Sequence, residues 1–228
     1  MTLQEAIKQR HSVRRYVHKP LSAEIVETLQ KKIEECNAEG GLHIQLVTNE
    51  TRAFTGLFSY GKFSGVENYI VMVGKKADDL DERVGYYGEQ LVLLAQTLGL
   101  NTCWAGLSYR RVDEAYSVGD DEKLTCMIAL GYGATQGHKR KSKTAEQVSN
   151  VGSDSPEWFR NGVEAALLAP TAINQQKFSF TLLPNEQDTE DKPKVLAKRG
   201  FSMVGYTKMD IGIARLHFEI GAGKENFD

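Results

Sequence analysis

The sequence predicts an α+β fold, with helices packed around a mixed or antiparallel sheet. Three observations carry that expectation. Apolar residues recur at helical spacing in several segments, short apolar or alternating runs lie between them, and one long helix is apolar around much of its girth. In order, residues 2–9 read as a helix. Residues 22–36 read as a second, with Ser22 as N-cap and Leu21, Ile25, Val26, Leu29 and Ile33 near 3.6 spacing. Leu42 to Thr48 alternates like a strand, and Tyr69 to Gly74 is a short, fully apolar strand candidate. Residues 79–98 form the long helix, where Leu91, Leu94, Ala95 and Leu98 make a stripe ended by Gly99. Thr102 to Ala105 and Thr125 to Leu130 are expected as buried strands flanking a helix near 110–118. Helices at 156–168 and 206–221, with strands near 177–183 and 193–198, complete the expectation.

Composition excludes more than it selects. The 228 residues are 41% hydrophobic and 25% charged, which is ordinary for a globular chain with a real core. A net charge of −2 gives no global pull toward nucleic acid or a membrane surface. Cys36, Cys103 and Cys126 form no C-x-x-C and read as reduced packing thiols. The chain opens on a polar amphipathic helix and has no run approaching a membrane span, so a cytoplasmic location and no membrane partner are expected. There is no G-x-G-x-x-G after a strand, no H-E-x-x-H and no G-x-S-x-G. Gly221-Ala-Gly-Lys-Glu-Asn226 follows a helix and lacks the spacing of a phosphate loop.

Chemistry concentrates in two strings far apart in the chain. Arg10-His11-Ser12-Val13-Arg14 places two guanidiniums and a hydroxyl on alternate residues after the first helix. Forked Arg donors and a short Ser donor suit a phosphate and a polyol. A solvated basic helix end is the plainer alternative. Ala169-Pro170-Thr171-Ala172-Ile173-Asn174-Gln175-Gln176 closes a helix with a proline turn and presents amides that can read the mixed edge of a flat heterocycle. A simple helix stop would explain the turn as well.

These strings resemble the R-x-S-x-R and A-P-S-x-x-N-x-Q elements of the FMN-dependent nitroreductase family. Gly88 to Gly106, with Leu98-Gly99-Leu100 and Trp104-Ala105-Gly106, is similar to that family's central helix and following strand, and Ala129 to Lys143 to its strand-to-loop element. By resemblance Arg10 and Ser12 meet the ribityl-phosphate end of FMN and Arg14 the pyrimidine side of the ring, with His11 between them also counted as cofactor-binding. The backbone at Ala105 and Gly106 offers an N–H to flavin N5, and Lys141 and Lys143 close on the phosphate. By the same resemblance Pro170 and Thr171 pack along the ring edge and Asn174 is the amide that in that family reaches the flavin from the neighbouring subunit, while Lys62 is placed near the pyrimidine carbonyls from its position alone. The basic run 138–143 could alternatively be a solvated loop or a nucleic-acid patch, but an isolated basic loop on a slightly acidic chain is a poor polyanion platform. The chain departs from the family pattern at Thr171, Gln175 and Lys177, and it lacks a Pro-Trp that would wall the substrate side.

The resemblance implies FMN as cofactor and NAD(P)H as donor, with a small acceptor such as a nitroaromatic or quinone. No side-chain nucleophile or general base is required. A flavin-binding protein without turnover, a store or sensor, is the alternative. A weak internal repeat lays the helix from Ser22 on that from Ser155, Asn49-Glu50 on Asn185-Glu186, and Leu91, Leu94, Leu98 and Gly99 on Ile213, Leu216, Ile220 and Gly221. It implies two nitroreductase-like halves in one chain, 1–150 and a truncated 151–228, forming a monomeric pseudo-dimer with one flavin site. The helix 88–98 is then expected to pack on 209–220.

Overall fold

The computed structural model describes residues 1–56, 62–138, 140–184 and 192–228. Asn185-Glu186, the second anchor of the internal repeat, and Lys139 lie outside them. Five α-helices are present among the described residues: α1 (Leu3–Gln9), α2 (Ala23–Gly40), α3 (Leu80–Thr97), α4 (Glu157–Leu167) and α5 (Thr207–Ala222). Strands β1 (Gln45–Val47), β2 (Asn68–Lys75), β3 (Asn101–Ala105) and β4 (Glu122–Gly131) form one antiparallel sheet in the order β1-β2-β4-β3. Strands β5 (Phe178–Leu182) and β6 (Val195–Arg199) form a separate antiparallel pair. The expected α+β class, with helices around an antiparallel sheet, is what the chain adopts.

The apolar run in β2 follows from burial on both faces, which removes the usual alternation of polar and apolar residues. Ile70 and Met72, with Cys126, Ile128 and Leu130 of β4, enter a core shared with α2, α3, α4 and α5. Tyr69, Val71 and Val73, with Met127 and Ala129, enter a second core on the opposite face. That second core is closed by Val13, Tyr16, Phe54, Phe63 and Val112 rather than by a helix. The segment expected as a helix near 110–118 is one of its covers and is not helical. Arg110 donates its backbone N–H to the Ala53 carbonyl at 2.8 Å, while Val112 is buried and Tyr116 packs inward. Tertiary pairing of the backbone outweighs a helical signal that includes β-branched Val112 and Val118.

The expected packing of the long central helix on the last one is observed. α3 and α5 cross where Gly85 and Gly212 face each other. A Cβ at Gly85 would collide with the Met209 carbonyl, and one at Gly212 with the Glu82 carbonyl. Only glycine lets the two backbones come this close. Arg215 pairs with Glu82 at 2.7 Å, and Tyr86 donates its hydroxyl to Glu219 at 2.6 Å along the same seam. The apolar contacts differ from the expected stripe in one respect. Leu91 and Ile213 share the main core, but Leu216 packs with Leu93, Ala6 and Ile7. Ala6 and Ile7 of α1 pack against both helices there.

Candidate functional site

The site begins where α1 ends. Thr2 and Glu5 form a capping box at its start, and Arg10 leaves the helix in an extended conformation. Val13 donates its backbone N–H to the Thr102 carbonyl at 3.0 Å, and Tyr16 to Ser64 at 2.9 Å, so the chain runs extended against the sheet. Extended backbone sends alternate side chains to opposite faces. Val13 turns into the core, and Arg10, Ser12 and Arg14 face a cavity of about 370 Å³.

That cavity brings the two distant strings together. Its lining includes Arg10, His11, Ser12 and Arg14 from the first and Pro170, Thr171 and Asn174 from the second. His138, Arg140 and Ser142 complete the polar wall. The remaining residues read from the sequence sit elsewhere. Lys143 donates its Nζ to the Gln176 carbonyl at 2.6 Å and its backbone N–H to Gln176 Oε1 at 2.9 Å, so it braces the turn. The Lys141 carbonyl accepts from Asn174 Nδ2 at 2.6 Å. Lys62 is exposed. Ala105 is buried at the end of β3, and the ring of Tyr206 lies against Gly106, its hydroxyl end filling the space a side chain there would need.

A buried guanidinium, Arg10, and a half-buried one, Arg140, dominate the electrostatics. Arg10 is 7% exposed, and burial pushes its pKa down, with Glu89 opposing the shift. Its Nε has no hydrogen-bond partner among the described residues and lies 3.8 Å from Glu89 Oε1. Arg140 is pushed down to about 10, by burial first and then by the charge of Arg10. One of its nitrogens donates to the carbonyls of Leu167 at 3.1 Å and Ala169 at 2.6 Å, capping the end of α4. Two cations beside an open cavity, the charge of one depressing the pKa of the other, favour an anion between them.

Behind Arg10 lies a buried polar cluster. Glu89 of α3 accepts from Trp104 Nε1 at 2.9 Å and faces His217 Nε2 of α5 at 2.9 Å. His217 Nδ1 faces the Ala165 carbonyl at 3.1 Å. Both ring nitrogens therefore meet oxygen atoms of neighbouring groups. Glu89 and His217 are fully buried, so the cluster ties α1, α3, β3, α4 and α5 together directly under the site.

The turn on the other wall is held in an unusual conformation. Ile173, Asn174 and Gln176 have φ of 46°, 59° and 45°, the left-handed region that costs a non-glycine residue on the order of 1–3 kcal/mol. Gln176 fixes one side: its Nε2 donates to Ser142 Oγ at 3.0 Å and the Leu167 carbonyl at 2.9 Å. Asp210 of α5 fixes the other. Its Oδ1 accepts the Ala172 backbone N–H at 2.9 Å and its Oδ2 accepts Gln175 Nε2 at 2.7 Å.

Arg140, His138, Ser142, Glu89, His217, Asp210 and Tyr206 escaped the sequence reading. Arg140 sits inside the basic run that was read from Lys141 onward. Glu89, Asp210 and His217 carried a usable signal, because each is a polar residue set among the apolar, core-facing positions of its helix.

Other features offer less. A groove of about 440 Å³ along α3 and α5 is lined by groups already paired, among them Arg215 with Glu82 and Arg83 with Asp79. Among the described residues no cluster of His, Cys, Asp or Glu could hold a metal, and no helix is long and apolar enough to cross a membrane.

Residues 2–222 match the family model described as "Putative TM nitroreductase", and the chain belongs to that nitroreductase family. No curated protein matches. Among solved structures, one from Thermotoga maritima described as a "putative nitroreductase" is 23% identical. The match covers 99% of this chain and 85% of that one, with a TM-score of 0.64. A Desulfovibrio desulfuricans protein of the same description, solved in complex with FMN, is 16% identical over 68% of this chain and 98% of its own, with a TM-score of 0.52. A Parabacteroides distasonis protein described as an NADH dehydrogenase/NAD(P)H nitroreductase is 19% identical over 66% of this chain and 98% of its own, with a TM-score of 0.51. At these identities the likeness is one of fold.

Proposed function

We propose that this protein is an FMN-dependent oxidoreductase that takes hydride from NAD(P)H and reduces a small acceptor such as a nitroaromatic or quinone. The observation that carries the reading is the pair of guanidiniums, buried Arg10 and half-buried Arg140, facing a cavity also lined by Ser12, Arg14, Thr171 and Asn174. An orphaned buried Nε on Arg10 fits an anionic ligand, and FMN, whose relatives' complex supplies the precedent, presents a phosphate and a polyol. When bound, FMN supplies the redox chemistry. The chain's own residues bind and orient it. Arg10, Arg140, His11 and Ser12 would hold the phosphate and ribityl end. Arg14 and Lys62 would serve the pyrimidine side, Pro170, Thr171 and Asn174 the ring edge, and the Ala105–Gly106 backbone the N5 side. Lys143 and Lys141 would contribute by bracing the turn that carries Asn174.

A second reading, a flavin store or sensor without turnover, is favoured by Tyr206, whose ring closes against Gly106. Anaerobic addition of NADH or NADPH separates the two. Bleaching of the oxidised-flavin absorbance is expected within seconds to minutes. An unbleached, stoichiometrically bound flavin would favour the store.

The same reading makes the chain two nitroreductase-like halves, 1–150 and 151–228, in a cytoplasmic monomer. Support comes from the α3–α5 seam closed within one chain and from a cavity built by Arg10–Arg14 and Pro170–Asn174 of the same chain. Two relatives that align over nearly their whole length cover only about two thirds of this one. The three cysteines are buried free thiols, as a reducing compartment allows. Sedimentation combined with flavin-to-protein absorbance should give a monomer with about one FMN. An obligate dimer with flavin contacts crossing between chains would overturn this architecture.

A further inference from the structure

We propose that Asp210 is a positioning residue of the cavity, a latch that holds the strained 171–176 turn in the conformation that presents Thr171 and Asn174 to the ligand. The proposal rests on the flavin reading above and extends it to a residue that touches no ligand. Asp210 is 2% exposed, near the start of α5, and both carboxylate oxygens are used on the turn, one by the Ala172 N–H and one by the Gln175 amide. Gln175 Nε2 also donates to the Gly205 carbonyl at 3.0 Å, so its orientation is set by two acceptors. Asn174 is oriented likewise by the Lys141 carbonyl.

The turn does not hold itself. Three of its residues are left-handed without being glycine, and one, Ile173, is β-branched and 78% exposed, so no packing retains it there. The amide oxygens of Asn174 and Gln175 are buried with no hydrogen-bond partner among the described residues. Such a segment relaxes unless its surroundings over-determine it, and strain of this kind collects where a ligand is clamped.

The fold keeps the carboxylate at a cost. Burial pushes the Asp210 carboxyl up to about 6, with the Ala172 and Gln175 hydrogen bonds and the charge of Arg140 opposing the shift. A raised acid contributes stability that is fully present below its unfolded value of about 4 and is lost as pH rises through about 6. At neutral pH the latch is therefore in its ionised form, which favours the fold less than the protonated acid does, while it serves the turn. That separates it from a residue kept for stability alone.

Asp210→Asn keeps an acceptor for Ala172 but sets one NH₂ against another at Gln175. At pH 7.5 it is expected to melt no lower than the parent, while FMN binds about tenfold more weakly and its visible circular dichroism changes shape. Asp210→Ala should lose both contacts and raise amide exchange at Ala172 in the flavin-free protein by tenfold or more. If Asp210→Ala does not fold, Gln175→Leu tests the same contact from the other side with the same expected loss. FMN affinity within twofold of the parent in both Asp210→Asn and the second variant would overturn the latch and leave the flavin reading intact. A parent protein that binds no FMN would instead overturn the flavin reading and, with it, the assigned role. Weaker binding accompanied by a lower melting temperature in Asp210→Asn would also overturn the proposal, in favour of a structural role.

Discussion

Glu89→Ala is expected to destabilise the fold by about 3–5 kcal/mol, the usual cost of removing one partner from a buried ion pair. The carboxylate is fully buried and serves three groups: the Trp104 indole at 2.9 Å, the His217 ring at 2.9 Å and the Arg10 guanidinium at 3.8 Å. Without it, the buried Arg10 guanidinium loses its carboxylate and the Trp104 and His217 rings lose their partner, with the charge of Arg140 nearby. Urea denaturation at pH 7.5 measures the loss. A decrease below about 1 kcal/mol, the scale of an exposed pair, would show that water or rearrangement satisfies these groups. Glu89→Gln should cost less, since the amide oxygen can still accept one hydrogen bond, although the charge is gone.

Replacing both Arg10 and Arg140 by alanine is expected to weaken FMN binding by two to four decades. Each charge-assisted contact contributes roughly 1.5–3 kcal/mol, or about one to two decades. The two will not add strictly, because the charge of Arg10 disfavours that of Arg140 and both line one cavity. Riboflavin, which has no phosphate, should bind both parent and double variant with similar weak affinity. Fluorescence titration of the flavin-free proteins reads all four constants. Equal affinity of the parent for FMN and riboflavin would remove the phosphate role from these arginines.

Much of the fold was legible because it rests on local periodicity. The spacing of Leu91, Leu94, Ala95 and Leu98 sets a helix wherever the rest of the chain goes, and the run at Tyr69–Gly74 can only be a segment buried on both faces. R-x-S-x-R was legible for a similar reason. Once the chain after α1 is extended, alternate residues must share a face, and Arg10, Ser12 and Arg14 do. The segment near 110–118 was not legible, because a backbone hydrogen bond to Ala53 and the demand of the second core for Val112 and Tyr116 decide its conformation.

The site divides in the same way. Sequence alone determined the two strings and the residue types an anionic, flat ligand would need, since those follow from donor geometry and chain direction. Only the tertiary structure decided which cation of the basic run turns inward. Arg140 does, because the end of α4 offers it the Leu167 and Ala169 carbonyls, whereas Lys143 finds Gln176. It likewise decided that Glu89 and His217, on helices far apart in sequence, share one hydrogen bond, and that Asp210 reaches back to a turn formed before it. Periodicity specifies which face of an element is buried. The partner a polar group meets there depends on how elements cross, and that crossing is fixed by close packing at positions such as Gly85 and Gly212, with no local pattern to announce it.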